Sequence, residues 1–541
     1  DIHKPGGTVL RNLQDGNFKG ELYVVNPKMD EVQGVKSYRD VKDLPQVDCA
    51  ILAIAAKFCP AAVEVLAKQK NTKAFIILSA GFHEENEEGA KLERQIVDTI
   101  DSVGGALIGP NCIGVLTNHY SGVFTSPIPE LNPKGVDLIS GSGATALFIM
   151  DSGMQKGIKF NSMYSVGNSA QMGVEEILEY MDESFDPETS SRVKLLYVES
   201  IEKPEKLLKH ASSLIRKGCR IAAVKSGGSA AGSRAASSHT GALASSDVAV
   251  EALFRKAGIV RCNGRDELMT VAGIFMHPEV KGKNMAVVTH AGGPAVMLTD
   301  ALSNGGMDVP HIEGEKAKEL LSKLFGGSSV GNPIDFLATG TAEQLGFILD
   351  ACDKDFDNID GMAVIFGSPG LFPVFDVYNV LDEKMKTSKK PIFPIFPSSK
   401  IVKAEIDEFV SKGRVYFPDE VLFGNALCKI YKTPAPQPEH FDMPDMDVKK
   451  IREVVDNAQN GYLSPEEIHA LLDAAGVARA KEGVSDNEEE IVKMAKEIGF
   501  PLVMKVVGPI HKSDVGGVVM NVNDEETVRR EFKRMMQIKD T

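Results

Sequence analysis

Short apolar runs, each followed by small residues and then by a helical stretch, recur along the first 125 residues. The runs are Glu21–Val25, Cys49–Ile54, Ala74–Leu78 and Ala106–Ile108, and helical stretches at Ala61–Gln69 and Ala90–Ile100 lie between them. Continuous rather than alternating apolar runs are typical of parallel strands that are buried on both faces of a sheet. The pattern predicts a doubly wound α/β domain with its ligand site at the carboxyl ends of the strands.

The residues that follow these four strands are mostly small. They leave room for a nucleotide to lie against the backbone, whereas tight turns alone explain one such strand end but not the whole row. The candidate binding residues at these ends are Pro27, Lys28, Ala55, Ala56, Ser79, Ala80, Gly81, Asn111 and Cys112.

A second α/β pattern follows a proline-rich connector at Pro127–Pro133. Its first strand, Val136–Ile139, leads into a Gly/Ser turn and an apolar helix that reaches Met150. Because amide groups at a helix N-terminus bind anions, we predict a phosphate site at Ser142, Gly143 and Ala144. Further strands are expected at Ser162–Val166, Lys194–Val198 and Ile221–Val224, and the domain is expected to end near Pro278.

Residues 284–432 repeat this scheme. The segment DLISGSGATALFIMD appears again as AVVTHAGGPAVMLTD, and strands are expected at Met285–Thr289, Ala363–Phe366 and Ile392–Phe396. We interpret this region as a second domain of the same type, produced by an ancient duplication.

The stretch Lys225–Asp247, KSGGSAAGSRAASSHTGALASSD, follows a strand and precedes the expected helix Asp247–Lys256. Its amides form a candidate anion site, and neutral imidazole at His239 is a nucleophile that can take a phosphoryl group. From spacing alone, a flexible Gly/Ser linker with an incidental histidine is an equal alternative.

Glu199 closes the expected strand at Lys194–Val198 and emerges at the carboxyl edge of the sheet. A carboxylate there would accept the second ring N–H of His239 and stabilise positive charge on the ring. An ordinary exposed glutamate at a strand end is the alternative. His290 is a rival nucleophile, which we interpret as a turn histidine near a domain interface.

Residues 433–447 are rich in proline and predict a semi-stiff linker. Ser464, Pro465 and Glu467 then form a helix start with a capping box. Lys505 lies in the apolar run PLVMKVV, where it either pairs with an anion such as ATP phosphate or faces solvent on an edge strand.

Composition limits the class of protein. The 541 residues carry a net charge of −15, which argues against general affinity for nucleic acid. Seven scattered cysteines without a CxxC pair are typical of a reducing compartment, and no apolar run is long enough to span a membrane. We therefore expect a cytoplasmic protein with no nucleic-acid or membrane partner.

Several of these motifs resemble those of the NDP-forming acyl-CoA synthetases, the ADP-forming acetate–CoA ligase family within the succinyl-CoA synthetase superfamily. SSHTGALA resembles the phosphohistidine loop of that family. VNPK, SAGF and GPNCIG resemble motifs of its CoA-binding domain, and PLVMKVV with HKSDVGGV resembles the opening of its ATP-grasp domain.

The resemblance implies an α/β fold with five segments. They are a Rossmann-like CoA-binding domain at 1–125 without its first strand, flavodoxin-like ligase domains at 126–280 and 281–432, a linker at 433–447, and the N-terminal part of an ATP-grasp domain at 448–541.

The resemblance also implies the reaction and several residue roles. Carboxylic acid, CoA and ATP would give acyl-CoA, ADP and phosphate through an acyl phosphate and a phosphohistidine. His239 would carry phosphate, Glu199 would orient it, His511 would be a second carrier, and Asn168 would lie near the acyl group. Amides of Thr240, Gly241 and Ala242 would join those of Ser142–Ala144 on phosphate, Lys505 would bind ATP, and Lys4, Gly6 and Gly7 would extend the CoA site.

Mg²⁺ is expected with ATP, on carboxylates beyond residue 541, and the family implies a homodimer. The motifs do not choose the acid, nor between ADP and GDP. A non-catalytic acyl-CoA-responsive regulator or acetyltransferase scaffold on the same domains is the alternative function, although such relatives typically lose the carrier histidine. A citrate-cleaving lyase is a further alternative, but the sequence has no citrate-synthase-like portion.

Overall fold

The computed structural model describes residues 1–16, 18–240, 246–368, 373–438, 444–508 and 512–538, with only the backbone for 236–240. The chain forms two units, Asp1–Gln437 and Pro438–Thr541, and the predicted α/β class is confirmed. The helices are α1 Pro5–Asp15, α2 Cys59–Gln69, α3 Glu87–Asp101, α4 Gly143–Gln155, α5 Val174–Glu183, α6 Pro204–Arg216, α7 Ala230–Thr240, α8 Asp247–Ala257, α9 Arg265–Phe275, α10 Gly292–Asn304, α11 Glu315–Ser322, α12 Ala342–Lys354, α13 Phe375–Thr387, α14 Lys403–Ser411, α15 Glu420–Lys432, α16 Val448–Asn457, α17 Pro465–Ala474, α18 Glu488–Ile498 and α19 Glu525–Met535. The strands are β1 Val24–Val25, β2 Glu31–Val32, β3 Val35–Tyr38, β4 Cys49–Leu52, β5 Ala74–Ile77, β6 Ala106–Ile108, β7 Gly114–Thr117, β8 Tyr120–Val123, β9 Leu131–Ser140, β10 Phe160–Ser165, β11 Val193–Val198, β12 Arg220–Lys225, β13 Val260–Cys262, β14 Met285–Thr289, β15 Ile334–Asp335, β16 Gly361–Ile365, β17 Ile392–Ile395, β18 Leu502–Lys505 and β19 Val518–Val522.

Three of the four strands predicted in the first region pair as one parallel sheet, in the order β4-β5-β6. Helices α2 and α3 pack on this sheet through a buried apolar cluster that includes Val63, Phe75 and Ile96. The remaining predicted strand, Glu21–Val25, is shorter than expected, because only Val24 and Val25 form β1. It pairs with β3 in a separate three-stranded sheet, whose strands β2 and β3 the sequence did not predict.

The second sheet has seven strands in the order β13-β12-β11-β9-β10-β7-β8. Strands β9 to β13 are parallel, and the hairpin β7–β8 joins antiparallel to β10. The hairpin lies within the predicted first domain by sequence position, yet its pairing adds it to the second sheet. Strand β9 begins at Leu131, so the proline-rich connector is shorter than predicted.

Four parallel strands form the third sheet, in the order β15-β14-β16-β17. Its first strand and helix repeat the geometry of β9 and α4. The Ser140 hydroxyl donates to the Ser142 carbonyl at 2.7 Å, and the Thr289 hydroxyl donates to the Ala291 carbonyl at 2.8 Å. This matched turn supports the predicted duplication and places His290 where the first copy has Gly141.

A helix occupies part of the small-residue stretch after β12, which the sequence predicted to be a loop. Helix α7 spans Ala230–Thr240, and its four alanines favour a helix. The predicted helix after it is confirmed as α8, which ends at Gly258 with a left-handed φ of 81°.

The second unit contains helices α16 to α19 and the antiparallel pair β18–β19. The predicted capping box at the start of α17 is present. The Ser464 hydroxyl accepts from the Glu467 amide at 3.2 Å, and the Glu467 carboxylate accepts from the Ser464 amide at 2.7 Å. Its small core joins α18, α19 and β19 through Val492, Val522 and Val528.

His277 is a buried histidine two residues after the end of α9, packed against the rings of Phe393 and Phe417 at centroid distances of 5.0 and 5.7 Å. Its Nδ1 donates to the Gly273 carbonyl at 2.8 Å, and Nε2 is a buried nitrogen without a hydrogen-bond partner among the described residues. Burial lowers the pKa of His277 to about 4, and the nearby Arg414 guanidinium contributes in the same direction.

We predict that this histidine makes the first unit acid-sensitive. Below the ordinary pKa of 6.5 the unfolded chain takes up a proton that the folded chain does not, so stability falls as pH decreases from 6.5 towards 4. The loss at pH 5 should be about 2 kcal/mol. Urea unfolding at pH 7 and pH 5 measures it, and His277→Leu should abolish this part of the pH dependence.

His119→Gln is the control, because His119 is exposed. It should keep the wild-type pH dependence. Equal loss of stability on acidification in the wild type and in His277→Leu would contradict the assignment.

Candidate active site

The register of the parallel strands brings together residues that are far apart in sequence. Ser140 of β9 is level with Ser165 of β10 and with Tyr197 of β11. The next segments therefore leave the sheet side by side at its carboxyl edge. They surround a cavity of about 300 Å³. The cavity is lined by Leu78, His83, Asn111, Cys112, Ile113, Phe124, Gly141, Ser142, Gly143, Ala144, Gly167, Asn168, Ser169, Val174, Glu175, Val198, Glu199, Ser200 and Glu202.

One wall of the cavity is the N-terminus of α4. Ser142 is the residue before the helix, and its hydroxyl accepts from the Thr145 amide at 3.4 Å. Amides in the first turn of a helix have no partner within the helix, and the helix dipole favours an anion in front of them. A Cβ at Gly143 would lie 2.5 Å from Ile113 Cγ2, so glycine is needed for the helix to approach the neighbouring turn. The predicted phosphate turn therefore borders the cavity.

Asn168 lies three residues after β10 and lines the same cavity. Its Nδ2 donates to the carboxylates of Glu84 and Glu93, the second at 3.2 Å, and its Oδ1 accepts from Asn111 Nδ2 at 3.3 Å. The predicted acyl-site residue is thus joined to Asn111, which was predicted to bind CoA. Asn111 follows β6 of the first parallel sheet and Asn168 follows β10 of the seven-stranded sheet, and the sequence did not predict their contact.

Three residues of this network were missed in the sequence. They are His83, Glu84 and Glu93, which follow the SAGF turn. His83 Nδ1 lies 2.6 Å from Glu93 Oε1. The signal was present in the run His-Glu-Glu after a strand end, but charged residues in that position are also typical of a solvated loop.

Glu84 is half-buried and holds the turn that precedes it. Its Oε1 accepts from the amides of Gly81 at 2.7 Å and Phe82 at 3.2 Å. Burial by itself raises the pKa of this carboxyl group, but the hydrogen bonds from Asn168 and from the two amides outweigh burial and lower the pKa of Glu84 below its ordinary value. The carboxylate is therefore charged at neutral pH.

Glu199 is half-buried at the cavity, directly after β11, as the sequence predicted. Its Oε1 lies 3.4 Å from the Tyr197 hydroxyl, which donates to it. Its predicted partner His239 is on α7, but the side chains of His239 and Thr240 lie outside the described part of the structure, as do Gly241, Ala242 and His511.

The strand ends predicted to bind CoA lie together at one edge of the first parallel sheet. The Ser79 hydroxyl donates to the Ile54 carbonyl, and the Asn111 amide donates to the Ser79 carbonyl at 2.9 Å. Gly81 has a left-handed φ of 106°, and a Cβ there would lie 3.2 Å from that of Ala56.

The other predicted CoA residues are distributed around this edge. Lys4 precedes α1, and a Cβ at Gly6, within its first turn, would lie 3.3 Å from Ala53 Cβ. Pro27 and Lys28 follow β1 in the separate small sheet. Ala55 precedes Ala56 in the segment after β4, Ala80 lies between Ser79 and Gly81 after β5, and Gly7 is in the first turn of α1. Cys112 is buried, and burial raises the pKa of its thiol to about 12, so it packs as a small apolar group.

His290 does not have the setting of a nucleophile. Its Nε2 accepts from the Gly367 amide at 2.9 Å, and its ring contacts Phe366 at a centroid distance of 4.3 Å. Burial lowers the pKa of His290, which keeps the ring neutral. An accepting Nε2 that is already bound to a backbone amide supports the interpretation of a turn histidine.

In the second unit, Lys505 is exposed at the end of β18, where it pairs in register with Val518. The exposed side chain fits both earlier interpretations of this lysine.

Among the described residues, no group of three or more His, Cys, Asp or Glu side chains is arranged to hold a metal ion. In the residues that the structure describes, no helix is long and apolar enough to cross a membrane.

The fold and the cavity define an α/β protein with a cavity at the carboxyl edge of its seven-stranded sheet, bordered by a helix N-terminus. Three family models match the chain: a CoA binding domain at residues 1–118, a succinyl-CoA ligase-like flavodoxin domain at 133–275 and an ATP-grasp domain at 454–540.

Characterised proteins resemble the chain over nearly its whole length. ADP-forming acetate–CoA ligase I of Archaeoglobus fulgidus is 31% identical over 99% of this chain and 77% of its own. ADP-forming 4-hydroxybutyrate–CoA ligase of Nitrosopumilus maritimus is 29% identical over 98% and 77%. The structure of acetyl-coenzyme A synthetase 1 of Ca. Korarchaeum cryptofilum, in complex with phosphate and ADP, superimposes with a TM-score of 0.72 at 25% identity over 80% of this chain and 92% of that one.

The chain belongs to the family of ADP-forming acetate–CoA ligases, the NDP-forming acyl-CoA synthetases, which confirms the resemblance found in its motifs. It is an acid–thiol ligase that uses CoA and ATP/ADP, and the alternative of a non-catalytic CoA-binding regulator is not supported.

Proposed function

We propose that this ligase converts a small carboxylic acid to its CoA thioester through an acyl phosphate, with His239 as the phosphate carrier. The observation that carries the proposal is that the α4 N-terminus, Asn168 and Glu199 border the same cavity. Helix amides stabilise a phosphate, a carboxylate supports an imidazole, and the adjoining strand ends accept a nucleotide-like thiol.

The reaction divides into three transfers. His239 takes the γ-phosphoryl group of ATP, which releases ADP. An oxygen of the carboxylic acid then attacks phosphorus, so that the P–N bond breaks and an acyl phosphate forms. The CoA thiol attacks the acyl carbon, the C–O bond to phosphate breaks, and the thiol proton leaves with phosphate or solvent. Amides at Ser142–Ala144 hold the phosphoryl oxygens in the last two transfers, and Glu199 supports the positive charge that develops on His239.

The remaining assignments follow from the same proposal. Amides of Thr240, Gly241 and Ala242 complete the phosphate site, His511 is the second carrier, and Mg²⁺ accompanies ATP. The domains divide as 1–125, 126–280, 281–432 and 448–541 around a linker at 433–447, and the active form is a cytoplasmic homodimer. The division between the two compact units, at residue 437, falls inside the proposed linker and supports it.

CoA is proposed to lie over the strand ends around Gly81. We predict that Gly81→Ala weakens CoA binding about 10-fold, since a side chain would fill the gap to Ala56 where the backbone must approach the ligand. Gly104→Ala is the control for backbone strain, because Gly104 also has positive φ but a Cβ there meets nothing within 4 Å. Calorimetric titration with CoA measures both, and equal affinities would contradict this placement.

Lys505 is proposed to contact a phosphate of ATP. Lys505→Met keeps the apolar stem of the side chain and removes its charge, so we predict a weaker affinity for ATP, by about 10-fold, and an unchanged affinity for CoA. Lys493→Met, which alters an exposed lysine of α18, should leave both affinities unchanged. Loss of ATP and CoA binding together in Lys505→Met would count against a local role.

The decisive prediction concerns phosphate on His239. Enzyme incubated with γ-labelled ATP and Mg²⁺ should carry a label that is acid-labile and stable to base, as expected for a phosphoramidate. His239→Ala and His239→Asn should abolish the label and the net synthesis of acyl-CoA. Glu199→Gln should slow labelling without abolishing it, since the histidine remains but loses its carboxylate.

The sharpest contrary result is a His239→Ala enzyme that makes acyl-CoA at the wild-type rate. It would exclude the carrier and favour an acyl-adenylate route. A His290→Asn enzyme serves as the matched control, and it should retain its label because the ring accepts a backbone hydrogen bond instead of facing the cavity.

A further inference from the structure

Glu84 links the first parallel sheet to the seven-stranded sheet at the edge where the substrates are proposed to meet. It follows the turn after β5, whereas its partner Asn168 follows β10 of the seven-stranded sheet. One carboxylate therefore holds the Gly81 turn of the proposed CoA site and the Asn168 side chain of the acyl cavity.

The surroundings of Asn168 leave its carboxamide one orientation. Nδ2 donates towards two carboxylates, those of Glu84 and Glu93, and Oδ1 faces the donor Asn111 Nδ2. A flipped amide would turn its oxygen towards two anions and its nitrogen towards another nitrogen. Hydrogen bonds to charged acceptors are among the stronger ones, so this arrangement is firmly held.

The consequence for the cavity is a fixed polar wall. Because both donors of Asn168 are directed to glutamates, its amide does not compete with the α4 N-terminus for the anionic group of the substrate. The oxygen instead holds Asn111, which lines the cavity from the side of the CoA-binding sheet. Movement of the Glu84 carboxylate would therefore free the Asn168 side chain, and with it Asn111, as well as the Gly81 turn.

We propose that Glu84 is a positioning residue for acyl transfer: its carboxylate fixes the Asn168–Asn111 wall against which the acyl group lies while it passes from phosphate to the CoA thiol. The inference rests on the proposed function for the order of the transfers. It adds a residue that acts in the second and third transfers and has no part in the first.

The experiment separates these transfers in the complete enzyme. In the first measurement, γ-labelled ATP and Mg²⁺ label the enzyme. In the second, isolated phosphoenzyme is mixed with acetate and CoA, and the formation of acetyl-CoA is followed by rapid quench. Glu84→Gln is the test variant, because glutamine has nearly the same shape but lacks the charge and cannot accept from all three donors.

We expect Glu84→Gln to label at the wild-type rate and to form acetyl-CoA from phosphoenzyme about 10-fold to 100-fold more slowly. Glu87→Gln is the matched control, since Glu87 is an exposed glutamate three residues later in the same segment, at the start of α3. It should behave as the wild type in both measurements. An unchanged second transfer in Glu84→Gln would overturn the inference.

A double-mutant cycle distinguishes positioning from a general effect on folding. Asn168→Ala should show the same defect, and adding Glu84→Gln to it should change the rate by less than about twofold, because the residue through which Glu84 acts is already absent. Additive losses would overturn the inference, and so would a lowered unfolding temperature that accounts for the loss in both single variants.

The two proposals fail in different ways. Absence of label on the wild-type enzyme would refute the phosphohistidine route, whereas normal labelling with an unaffected Glu84→Gln enzyme would refute only the positioning role.

Discussion

The hydrogen-bonded register between neighbouring parallel strands is the constraint on which the site depends. Ser140 of β9 is level with Ser165 of β10 and Tyr197 of β11, and Val198 is level with Lys225 of β12. Whatever follows these residues must leave the sheet at the same height. Ser142, Asn168 and Glu199 meet for this reason, although up to 57 residues separate them along the chain. A shift of one residue in β10 would turn the side chains of that strand to the other face and move the turn that carries Asn168 out of register with Ser142.

An acidic protein that handles anionic substrates must keep its own carboxylates from repelling them. The structure does this by pairing them with backbone donors and lysines. Glu175, at the cavity, accepts from the amides of Glu202 and Lys203 at 2.9 and 3.1 Å, and Glu176 pairs with Lys203 at 2.7 Å. Glu84 is held by two amides in the same way. With these charges engaged, the helix dipole and first-turn amides of α4 supply the local positive potential.

The two copies of the strand–turn–helix unit show how one local geometry serves different roles. Both turns close with a hydroxyl from the last strand residue, Ser140 or Thr289. The first copy has Gly141 at the next position and opens onto a cavity. The second has His290, whose ring bonds the Gly367 amide and packs on Phe366. The His290 side chain thus occupies, in the second copy, the space that Gly141 leaves open in the first copy.

Local pattern determined most of the elements, because buried parallel strands, strand-end turns and capped helices have signatures within a few residues. Strands such as Met285–Thr289, the capping box at Ser464 and the positions of Ser142 and Glu199 were all predicted in this way. The sequence did not predict α7, because this helix lies in a stretch of small residues that resembles a loop, nor did it predict the pairing of the β7–β8 hairpin with β10. It also did not single out Glu84, Glu93 and His83. Their importance arises only when segments that follow strands of two different sheets come into contact, and contacts between residues 75 to 84 positions apart leave no periodic trace in the sequence. The sequence by itself determined the family, because its motifs are local, and the tertiary structure decided which carboxylates hold the turns beside the cavity in place, because those contacts join segments far apart in the chain.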